Sequence, residues 1–288
     1  MSAETSVAVA VVIVNWNGRL STLACLESLS ASGYPPRRII VVDNGSADGS
    51  SSAVRGRFSQ VEVLETGRNL GFAGGNNAAF ARLRDDPPAY VWLLNNDTQP
   101  HHTALAALVA VAEANPNLAA VGSVLVGPDD AVEAWGGGRV DFRSGLPRHY
   151  RSPAAPSDRD YLVGASLLLR WTALAGIGFF DNRYFLYWED TDLCFRLREA
   201  GWALGVAADA VVRHEGQASA GFRSPLWDRE FTASSVLFFR RHSRLSVPPI
   251  VVSAAGRLTR RALLGKWNNV GAVWQGLAQG LQRSGKRR

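Results

Sequence analysis

The chain has 288 residues, of which 47% are hydrophobic and 19% are charged, and its formal net charge is +6. This length and composition are typical of a folded globular protein with one large domain or two modest ones. No stretch approaches the roughly 18 apolar residues of a membrane span, and no basic segment precedes the first apolar run. We therefore expect neither a transmembrane helix nor a signal peptide.

The charge is distributed unevenly along the chain. Residues 231–288 contain 11 Lys and Arg and no Asp or Glu. The first 230 residues contain the other 20 of the 31 basic side chains and all 25 acidic ones, so their net charge is −5. A mildly acidic body with a basic tail indicates an anionic partner for the tail, such as nucleic acid, a phospholipid surface or an anionic lipid-linked substrate.

The cysteine pattern indicates the redox environment. Cys25 and Cys194 are the only cysteines, and each lies within a predicted helix. Their spacing gives neither a disulfide framework nor a zinc site. A reducing cytosol is the setting that we expect.

The first half of the chain alternates between strand and helix patterns. Continuous apolar, β-branched runs at 7–14, 38–42 and 90–94 each end in polar residues and precede a helical pattern. This order predicts parallel strands that are buried on both faces of an α/β sheet. A shorter strand is predicted at 61–64, and helices are predicted at 21–30, 71–83 and 103–114. Beyond residue 118 the prediction is a strand at 119–126, a Gly-rich hairpin around 136–138 and a loop over 151–160.

Polar loops follow the predicted strands. They lie at 15–18, 43–50, 67–71 and 95–98, and several are rich in Asn or Gly. Ligands of open parallel sheets bind at the carboxyl ends of the strands. A single polar loop is more often only a connection, but four at one edge predict a pocket.

Two acids and a histidine at strand ends are candidate ligand contacts. Asp43 can accept the N3–H of a uracil or thymine ring, although the Asp-Asn-Gly sequence that it begins can also close a turn by itself. Asp97 can hold Mg²⁺ or Mn²⁺ against a diphosphate, although residues 97–100 also resemble a helix cap and first turn. His214 ends a β-branched run, where a lone histidine is more often a rim residue than a metal ligand.

The tract 188–198 places several acids where a helix begins. Apolar residues recur through it at helical spacing, so Glu189, Asp190 and Asp192 fall in the first turn. Backbone N–H groups and the helix macrodipole stabilise a carboxylate there, and an ionised acid is ready to serve as a general base. The alternative is an acidic turn that only caps its helix.

Seven motifs in this order resemble those of a family 2 glycosyltransferase of the GT-A fold, and the match runs from about residue 7 to about residue 219. The nearest branch contains bacterial rhamnosyltransferases and related cell-surface polysaccharide enzymes. The motifs are Val-Asn-Trp-Asn-Gly at 14–18, Val-Asp-Asn-Gly-Ser-Ala-Asp-Gly-Ser at 42–50, Asn-Leu-Gly-Phe-Ala-Gly-Gly-Asn-Asn at 69–77, Leu-Leu-Asn-Asn-Asp-Thr at 93–98, Gly-Ala-Ser-Leu-Leu-Leu-Arg at 164–170, Phe-Phe-Asp at 179–181 and Tyr-Trp-Glu-Asp-Thr-Asp-Leu-Cys at 187–194. The resemblance implies a Rossmann-like, mostly parallel sheet flanked by helices.

The resemblance also implies a nucleotide site. Asp43 matches the acid that binds the pyrimidine base, and Asn69, Gly71 and Asn77 match the loop that lines the nucleotide. The strand-end loops that include Asn15 and Asn96 are expected to line the same site.

The resemblance further implies a metal and a catalytic base. Asp97 matches the last acid of the D-x-D metal motif, and His214 matches a histidine that completes the metal shell in related sugar transferases. The chain departs from D-x-D at Asn95, which leaves one carboxylate and one imidazole for Mg²⁺ or Mn²⁺. Asp190 matches the catalytic base, and Glu189 lies beside it.

The implied reaction is one displacement with inversion at the anomeric carbon. Asp190 removes the proton of an acceptor hydroxyl, and that oxygen attacks the sugar from the face opposite the diphosphate. We expect dTDP-L-rhamnose as the donor and a cell-surface glycan precursor on a polyprenyl diphosphate as the acceptor. The alternatives are UDP-galactofuranose or UDP-N-acetylglucosamine as the donor, or a non-catalytic protein that keeps the nucleotide-sugar pocket.

We divide the chain into a GT-A catalytic domain at 1–230 and a basic helical tail at 231–288. An apolar stripe in the tail predicts a helix that packs on the catalytic body, forms a homodimer contact or docks on an anionic membrane. We expect a cytoplasmic protein that is peripheral on the inner face of the plasma membrane. Nucleic acid is not an expected partner, because the basic residues lack an interleaved aromatic platform. The stripe consists of Trp267, Val270, Trp274, Leu277 and Leu281.

Overall fold

A computed structural model describes residues 7–154, 157–158, 160–215 and 224–285. The first half contains β1 (Val9–Asn15), α1 (Arg19–Ser30), β2 (Arg38–Asp43), α2 (Ser50–Arg57), β3 (Glu62–Glu65), α3 (Gly71–Leu83), β4 (Tyr90–Asn95), β5 (Thr98–Pro100), α4 (Ala104–Ala114) and β6 (Leu118–Val126). The second half contains β7 (Val132–Trp135), β8 (Gly137–Asp141), β9 (Leu146–His149), β10 (Asp160–Leu162), β11 (Ser166–Arg170), α5 (Trp171–Gly176), α6 (Glu189–Glu199), β12 (Ala203–His214), α7 (Pro225–His242), α8 (Val247–Leu263) and α9 (Trp267–Gly285).

Nine of the described strands form one sheet. Its order is β3-β2-β1-β4-β11-β6-β12-β5, and β7 pairs with β6. The β3-β2-β1-β4 part is parallel, as the apolar runs predicted, whereas β11 runs antiparallel between β4 and β6. A second sheet has the order β10-β8-β9 and is antiparallel. The predicted α/β class with flanking helices is confirmed.

Alternate residues of the central strands face two layers of helices. Val11 and Ile13 belong to a core cluster that includes Cys25 of α1, whereas Val12 belongs to a cluster that includes Cys194 of α6. Both cysteines are buried and unpaired, and burial raises the pKa of each thiol to about 12. The two thiols therefore lie in the cores on opposite faces of the sheet.

Three local predictions differ from the structure. Helix α2 was not predicted, because its Ser- and Arg-rich sequence has little apolar periodicity. Residues 98–100 form β5 rather than a helix turn, since they pair with the end of β12. The Gly-rich segment at 136–138 does not close a hairpin: β7 pairs with β6 and β8 pairs with β9 and β10, so the chain changes sheets there.

The C-terminal helices pack on one another. The boundary predicted at residue 230 lies inside α7, and α9 packs along that helix. Close approach requires glycine, because a Cβ at Gly276 would lie 2.4 Å from the carbonyl oxygen of Arg229. Among the described residues, no helix is both long and apolar enough to cross a membrane.

Three of the five residues of the predicted apolar stripe lie on the outer face of α9. Trp267, Trp274 and Leu281 are 68%, 60% and 54% exposed, whereas Val270 and Leu277 are half-buried. A different set of residues forms the fully buried face, so most of the stripe lies outside the surface by which α9 packs on the body. The buried residues are Asn269, Ala272, Val273, Gly276 and Gly280.

Candidate active site

Two adjoining cavities lie at the carboxyl ends of β1, β2 and β4. The strand-end cavity, of about 290 Å³, is lined by residues that include Trp16, Asn44, Asn69, Gly71, Asn96 and Arg229. The acid cavity, of about 250 Å³, is lined by residues that include Tyr161, Gly164, Glu189, Asp190, His214 and Phe231. Phe72, Asn95 and Leu186 line both cavities, so the two spaces adjoin. A larger cavity of about 720 Å³ is lined by residues 177–183 with Phe185, Arg196 and Arg283, none of which is a predicted site residue.

Asn15 and Asn96 hold the ends of β1 and β4 together. The side-chain oxygen of the buried Asn15 accepts hydrogen bonds from Asn96 Nδ2 at 3.0 Å and from Thr22 Oγ1 at 2.9 Å. Its amide nitrogen donates to Ser46 Oγ at 3.1 Å, which ties in the loop after β2. Asn96 lines the strand-end cavity, whereas Asn15 positions the loops around it.

Asn44 and Asn69 shape the loop that precedes α3. Asn44 Nδ2 donates to Asn69 Oδ1 at 3.1 Å and to the carbonyl oxygen of Gly71 at 3.0 Å. Asn69 Oδ1 also accepts the backbone N–H of Gly71 at 2.8 Å. Gly71 has φ of +75°, and a Cβ there would lie 2.1 Å from the carbonyl oxygen of Phe185. Only glycine therefore lets this loop meet the segment before α6.

Two other residues that were predicted to contact the nucleotide form hydrogen bonds within the protein. Asp43 is 4% exposed, and its Oδ1 accepts the backbone N–H of Ser46 at 2.8 Å, so the self-closed turn considered above is present. Asn77 Nδ2 donates to the carbonyl oxygen of Phe180 at 2.9 Å and to Asn182 Oδ1 at 2.7 Å. Asn77 thus fastens the 180–182 segment to α3, and nucleotide contacts by Asp43 and Asn77 stay predictions.

Asp97 and His214 meet beside the acid cavity. His214 Nε2 lies 3.5 Å from Asp97 Oδ1, and His214 Nδ1 lies 3.3 Å from Glu133 Oε2 on β7. Burial lowers the pKa of His214, but the hydrogen bonds and negative charges of Asp97 and Glu133 outweigh it, and the net pKa is raised. The imidazole is therefore held between two carboxylates.

The same geometry fits a divalent cation with two protein ligands. Two ligand atoms that each lie about 2.1 Å from a shared ion are about 3.0 to 3.6 Å from each other. The distance between Asp97 Oδ1 and His214 Nε2 falls within this range. Metal-bound histidines commonly direct their other ring nitrogen at a carboxylate, as His214 does toward Glu133. Among the described residues, no group of three or more His, Cys, Asp or Glu side chains could hold a metal. Substrate or water oxygens would have to complete the shell.

Asp190 is fixed at the start of α6. Its Oδ2 accepts the backbone N–H of Gly164 at 2.9 Å, and its Oδ1 accepts the backbone N–H of Thr191 at 2.6 Å. A Cβ at Gly164 would lie 3.3 Å from Asp190 Cβ, so the glycine leaves room for this approach. Burial raises the pKa of Asp190 more than these hydrogen bonds lower it. From the sequence, we expected the helix start alone to keep Asp190 ionised. In the structure, burial has a larger effect on the pKa of Asp190 than the hydrogen bonds at the helix start.

Glu189, Trp188 and Tyr161 each have a polar atom that is unpaired within the described ranges. Glu189 is 6% exposed, and its Oε2, the indole N–H of Trp188 and the hydroxyl of Tyr161 have no hydrogen-bond partner among the described residues. Burial and the nearby charge of Asp190 raise the pKa of Glu189 well above its usual range, which favours a neutral carboxyl group. Tyr187 and Trp188 both have positive φ, near +67°, a strained conformation of the kind that clusters at functional sites.

Several residues of the site were not identified from the sequence. Glu133 and Tyr161 lie on short strands outside the quoted motifs, and their role follows only from long-range packing. Asn44 lies inside the quoted 42–50 motif, so that motif was the available signal. Arg229 lies in the first turns of α7, where no sequence signal separated it from other surface arginines.

The fold, the paired cavities at the strand ends and the acid at a helix start agree with a sugar-transferring enzyme of the GT-A class. The sequence model described as glycosyl transferase family 2 matches residues 10–176. The chain is 32% identical over 266 residues to N-acetylglucosaminyl-diphospho-decaprenol L-rhamnosyltransferase of Mycobacterium tuberculosis (strain ATCC 25618 / H37Rv), covering 83% of this chain and 86% of the relative. The chain therefore belongs to glycosyl transferase family 2 and is a glycosyltransferase, which removes the non-catalytic alternative.

Two further comparisons agree with this assignment. Galactofuranosyltransferase GlfT1 of the same organism is 30% identical over 199 residues, which covers 66% of this chain and 64% of the relative. The mannosyltransferase PcManGT from Pyrobaculum calidifontis, solved with GDP-Man and Mn²⁺, superposes with a TM-score of 0.61 at 17% identity, covering 95% of this chain and 86% of that one. This likeness confirms the GT-A fold.

Proposed function

We propose that the enzyme transfers L-rhamnose from dTDP-L-rhamnose, with inversion, to a hydroxyl of a sugar carried on a polyprenyl diphosphate. One observation carries the proposal: Asp190 and His214 line the same cavity, and that cavity shares three lining residues with the Asn-rich strand-end cavity. The choice of donor and of a lipid-linked acceptor is supported by the 32% identical rhamnosyltransferase. The 30% identical galactofuranosyltransferase makes UDP-galactofuranose the second candidate donor.

The donor is proposed to occupy the strand-end cavity. Asp43 would accept the N3–H of the base, and Asn44, Asn69 and Arg229 would contact the ribose and diphosphate. Asp97 and His214 would hold magnesium or manganese, which would supply positive charge beside the leaving diphosphate. The sugar then extends past Phe72 and Asn95 into the acid cavity.

Asp190 is proposed to act as the general base. Its raised pKa makes it a stronger base than an ordinary aspartate, and its hydrogen bonds to Gly164 and Thr191 hold it in one orientation. It accepts the proton of the acceptor hydroxyl as that oxygen attacks the anomeric carbon. A neutral Glu189 and the hydroxyl of Tyr161 would hydrogen bond to the acceptor sugar, which gives partners to both orphaned atoms.

The outer face of α8 and α9 is proposed to dock on an anionic membrane at the cytoplasmic side. Large apolar side chains are exposed there, including Val251, Leu264, Trp267 and Trp274. No acid follows Glu230 in the sequence, so the charged side chains of α8 and α9 are all basic. Interfacial tryptophans with neighbouring arginines suit the headgroup region of anionic lipids.

The donor assignment is tested by thermal unfolding with each nucleotide sugar. A donor at about 100 times its dissociation constant should add about 2.7 kcal/mol to the free energy of unfolding. We expect this stabilisation from dTDP-L-rhamnose with Mg²⁺ or Mn²⁺, and not from UDP-N-acetylglucosamine. Transfer to a synthetic lipid-diphosphate-linked N-acetylglucosamine, followed by mass spectrometry and NMR of the new linkage, gives the product and its anomeric configuration. Stabilisation and transfer with UDP-galactofuranose alone would reassign the donor.

A further inference from the structure

Arg257 of α8 has a buried guanidinium group that finds no hydrogen-bond partner in the described part of the chain. The residue is 9% exposed, and none of its three side-chain nitrogens has a partner among the described residues. The hydroxyl of Ser253, one helical turn earlier, is buried and unpartnered in the same way. The residues outside the described ranges contain a single acid, Glu4. Arg257 and Ser253 therefore contribute four buried polar atoms that have no hydrogen-bond partner among the described residues.

The acids near Arg257 are already paired with other residues. Asp228 accepts hydrogen bonds from Arg261 Nε at 2.8 Å and from Asn269 Nδ2 at 2.5 Å. Glu230 is paired with Arg229 at 3.0 Å and with Arg283 at 2.9 Å. Four arginines thus face two carboxylates where α7, α8 and α9 meet, and Arg257 is the one without an ion pair among the described residues.

The position of Arg257 links the exposed apolar face to the site of chemistry. Its guanidinium carbon lies 4.9 Å from the centre of the Phe231 ring, and Phe231 lines the acid cavity that contains Asp190. The other face of α8 carries Val251 and Val252, which are 56% and 50% exposed. A cation therefore lies between the cavity for the acceptor sugar and the surface proposed to face lipid.

We propose that Arg257 and Ser253 bind a phosphate group of the lipid-linked acceptor. The inference rests on the proposed function, because it needs an acceptor whose sugar reaches Asp190 while its lipid stays in the membrane. In such a molecule the diphosphate joins the sugar to the lipid, which is where Arg257 lies. A guanidinium group matches the tetrahedral oxygens of phosphate, and a hydroxyl adds one more donor.

The test uses farnesyl diphosphate, a prenyl diphosphate without a sugar, and the full-length protein with its nucleotide site filled by dTDP. Isothermal titration calorimetry should show that Arg257→Gln weakens binding about tenfold to a hundredfold, since a charge-assisted hydrogen bond is lost. Arg260→Gln, on the exposed side of the same helix, should bind as the parent does. Equal affinities for the Arg257 variant and the parent would overturn the proposal. The measurement needs no sugar transfer, so its result does not depend on which sugar donor the enzyme uses.

A second arm separates the acceptor phosphate from the phosphate of a membrane lipid. Sedimentation with phosphatidylglycerol vesicles free of prenyl diphosphate should show the same binding for Arg257→Gln as for the parent, and weaker binding for Arg260→Gln. Loss of vesicle binding in the Arg257 variant with unchanged affinity for farnesyl diphosphate would make the site a lipid-headgroup site.

Thermal unfolding distinguishes a ligand-binding role from a structural one. Removal of an unpaired buried charge should not weaken the fold, so the unfolding midpoint of Arg257→Gln should equal or exceed that of the parent. Arg257→Lys, which keeps the charge but loses the planar fork, should bind farnesyl diphosphate with intermediate affinity. A lower midpoint for Arg257→Gln, with parental affinity in Arg257→Lys, would show that the guanidinium is structural.

Discussion

The two adjacent acids that begin α6 have different surroundings. Asp190 is half-buried and hydrogen bonded through both oxygens, whereas Glu189 is buried with one oxygen unpartnered among the described residues. Because burial and, to a lesser extent, the negative charge of Asp190 raise the pKa of Glu189, only one of the pair carries charge readily. The local geometry therefore gives the proposed base, Asp190, and the proposed hydrogen-bond donor, Glu189, different protonation behaviour.

Asp190→Asn should abolish transfer while leaving donor binding nearly intact. Loss of a general base should lower kcat by roughly 10² to 10⁴. Glu189→Gln should keep much more activity, because a glutamine resembles the neutral carboxyl group in shape and can donate a hydrogen bond. Steady-state kinetics and donor thermal shifts on both variants measure this. If Glu189→Gln is inactive and Asp190→Asn active, the roles are reversed.

The pH dependence of kcat/KM should show the raised pKa of Asp190. The base must be deprotonated, so activity is lost as the pH falls through this pKa. Since burial raises the pKa, the loss should occur at higher pH than the ordinary aspartate value of about 3.9. Asp190→Glu should move this acidic limb, whereas Asp48→Asn, at a carboxylate outside the acid cavity, should leave it in place. If the acidic limb is the same in Asp190→Glu as in the parent, the group that titrates in this limb is not Asp190.

If Asp97 and His214 bind the metal, substitutions at three residues should reduce metal-stimulated activity or metal affinity to different extents. His214→Ala and Asp97→Ala should each remove most metal-stimulated activity, and EDTA should suppress the parent enzyme. Glu133→Gln keeps both ligands but weakens the carboxylate that orients His214, so it should reduce metal affinity by about 10 to 100-fold. Metal titration followed by activity and by isothermal titration calorimetry checks this. Full activity in EDTA would make Asp97 and His214 direct contacts to the substrate or structural residues.

At the element scale, the contact between the start of α3 and the segment before α6 controls the shape of the strand-end cavity. Gly67 and Gly71 both have positive φ, but a Cβ at Gly67 meets nothing within 4 Å, whereas one at Gly71 would strike the carbonyl oxygen of Phe185. Gly67→Ala should therefore cost about 1 to 2 kcal/mol of stability from strain alone. Gly71→Ala should cost clearly more and weaken donor binding. Denaturant unfolding of the two variants measures the difference; equal losses would show that the loop relaxes.

The sequence predicted the strands and helices whose apolar pattern is local. β1, β2 and β4 and helices α1, α3 and α4 lie within two residues of their predicted bounds, because each has a continuous or periodic apolar face. β5 was missed because its three residues form a strand only by pairing with β12, more than 110 residues later. The approach of Glu133 to His214 was missed for the same reason. Asp190 was identified because a helix start can be recognised from adjacent residues, but its burial cannot.

For the whole molecule, the outer face of α8 and α9 should control membrane binding. A protein shortened at Arg257 would lose the buried Arg261 and Asn269 contacts to Asp228, so point variants are the sharper test. Trp267→Gln with Trp274→Gln should abolish binding to anionic vesicles at low salt and reduce activity on a lipid-linked acceptor. Leu20→Gln, at an exposed leucine on α1, is the matched control.

Vesicle binding should also weaken with salt, because each lysine or arginine near the surface adds about 1 kcal/mol of screened attraction. Sedimentation with phosphatidylglycerol and phosphatidylcholine vesicles, at two salt concentrations, measures both effects. The parent protein could instead fail to bind anionic vesicles and form a dimer that dissociates in the tryptophan variant. These two results together would show that the stripe is a dimer contact.

The two buried thiols provide a built-in measure of how the molecule opens. Cys25 and Cys194 lie in cores on opposite faces of the main sheet, and their high pKa keeps them unreactive while the protein is folded. A maleimide reagent would therefore modify each thiol only after its own layer separates from the sheet. Mass spectrometry of the labelled peptides would then report whether the two layers open together or one at a time, and whether donor binding slows both. No engineered probe is required, because the native cysteines already distinguish the helical layer of α1 from the layer of α6, which carries Glu189 and Asp190.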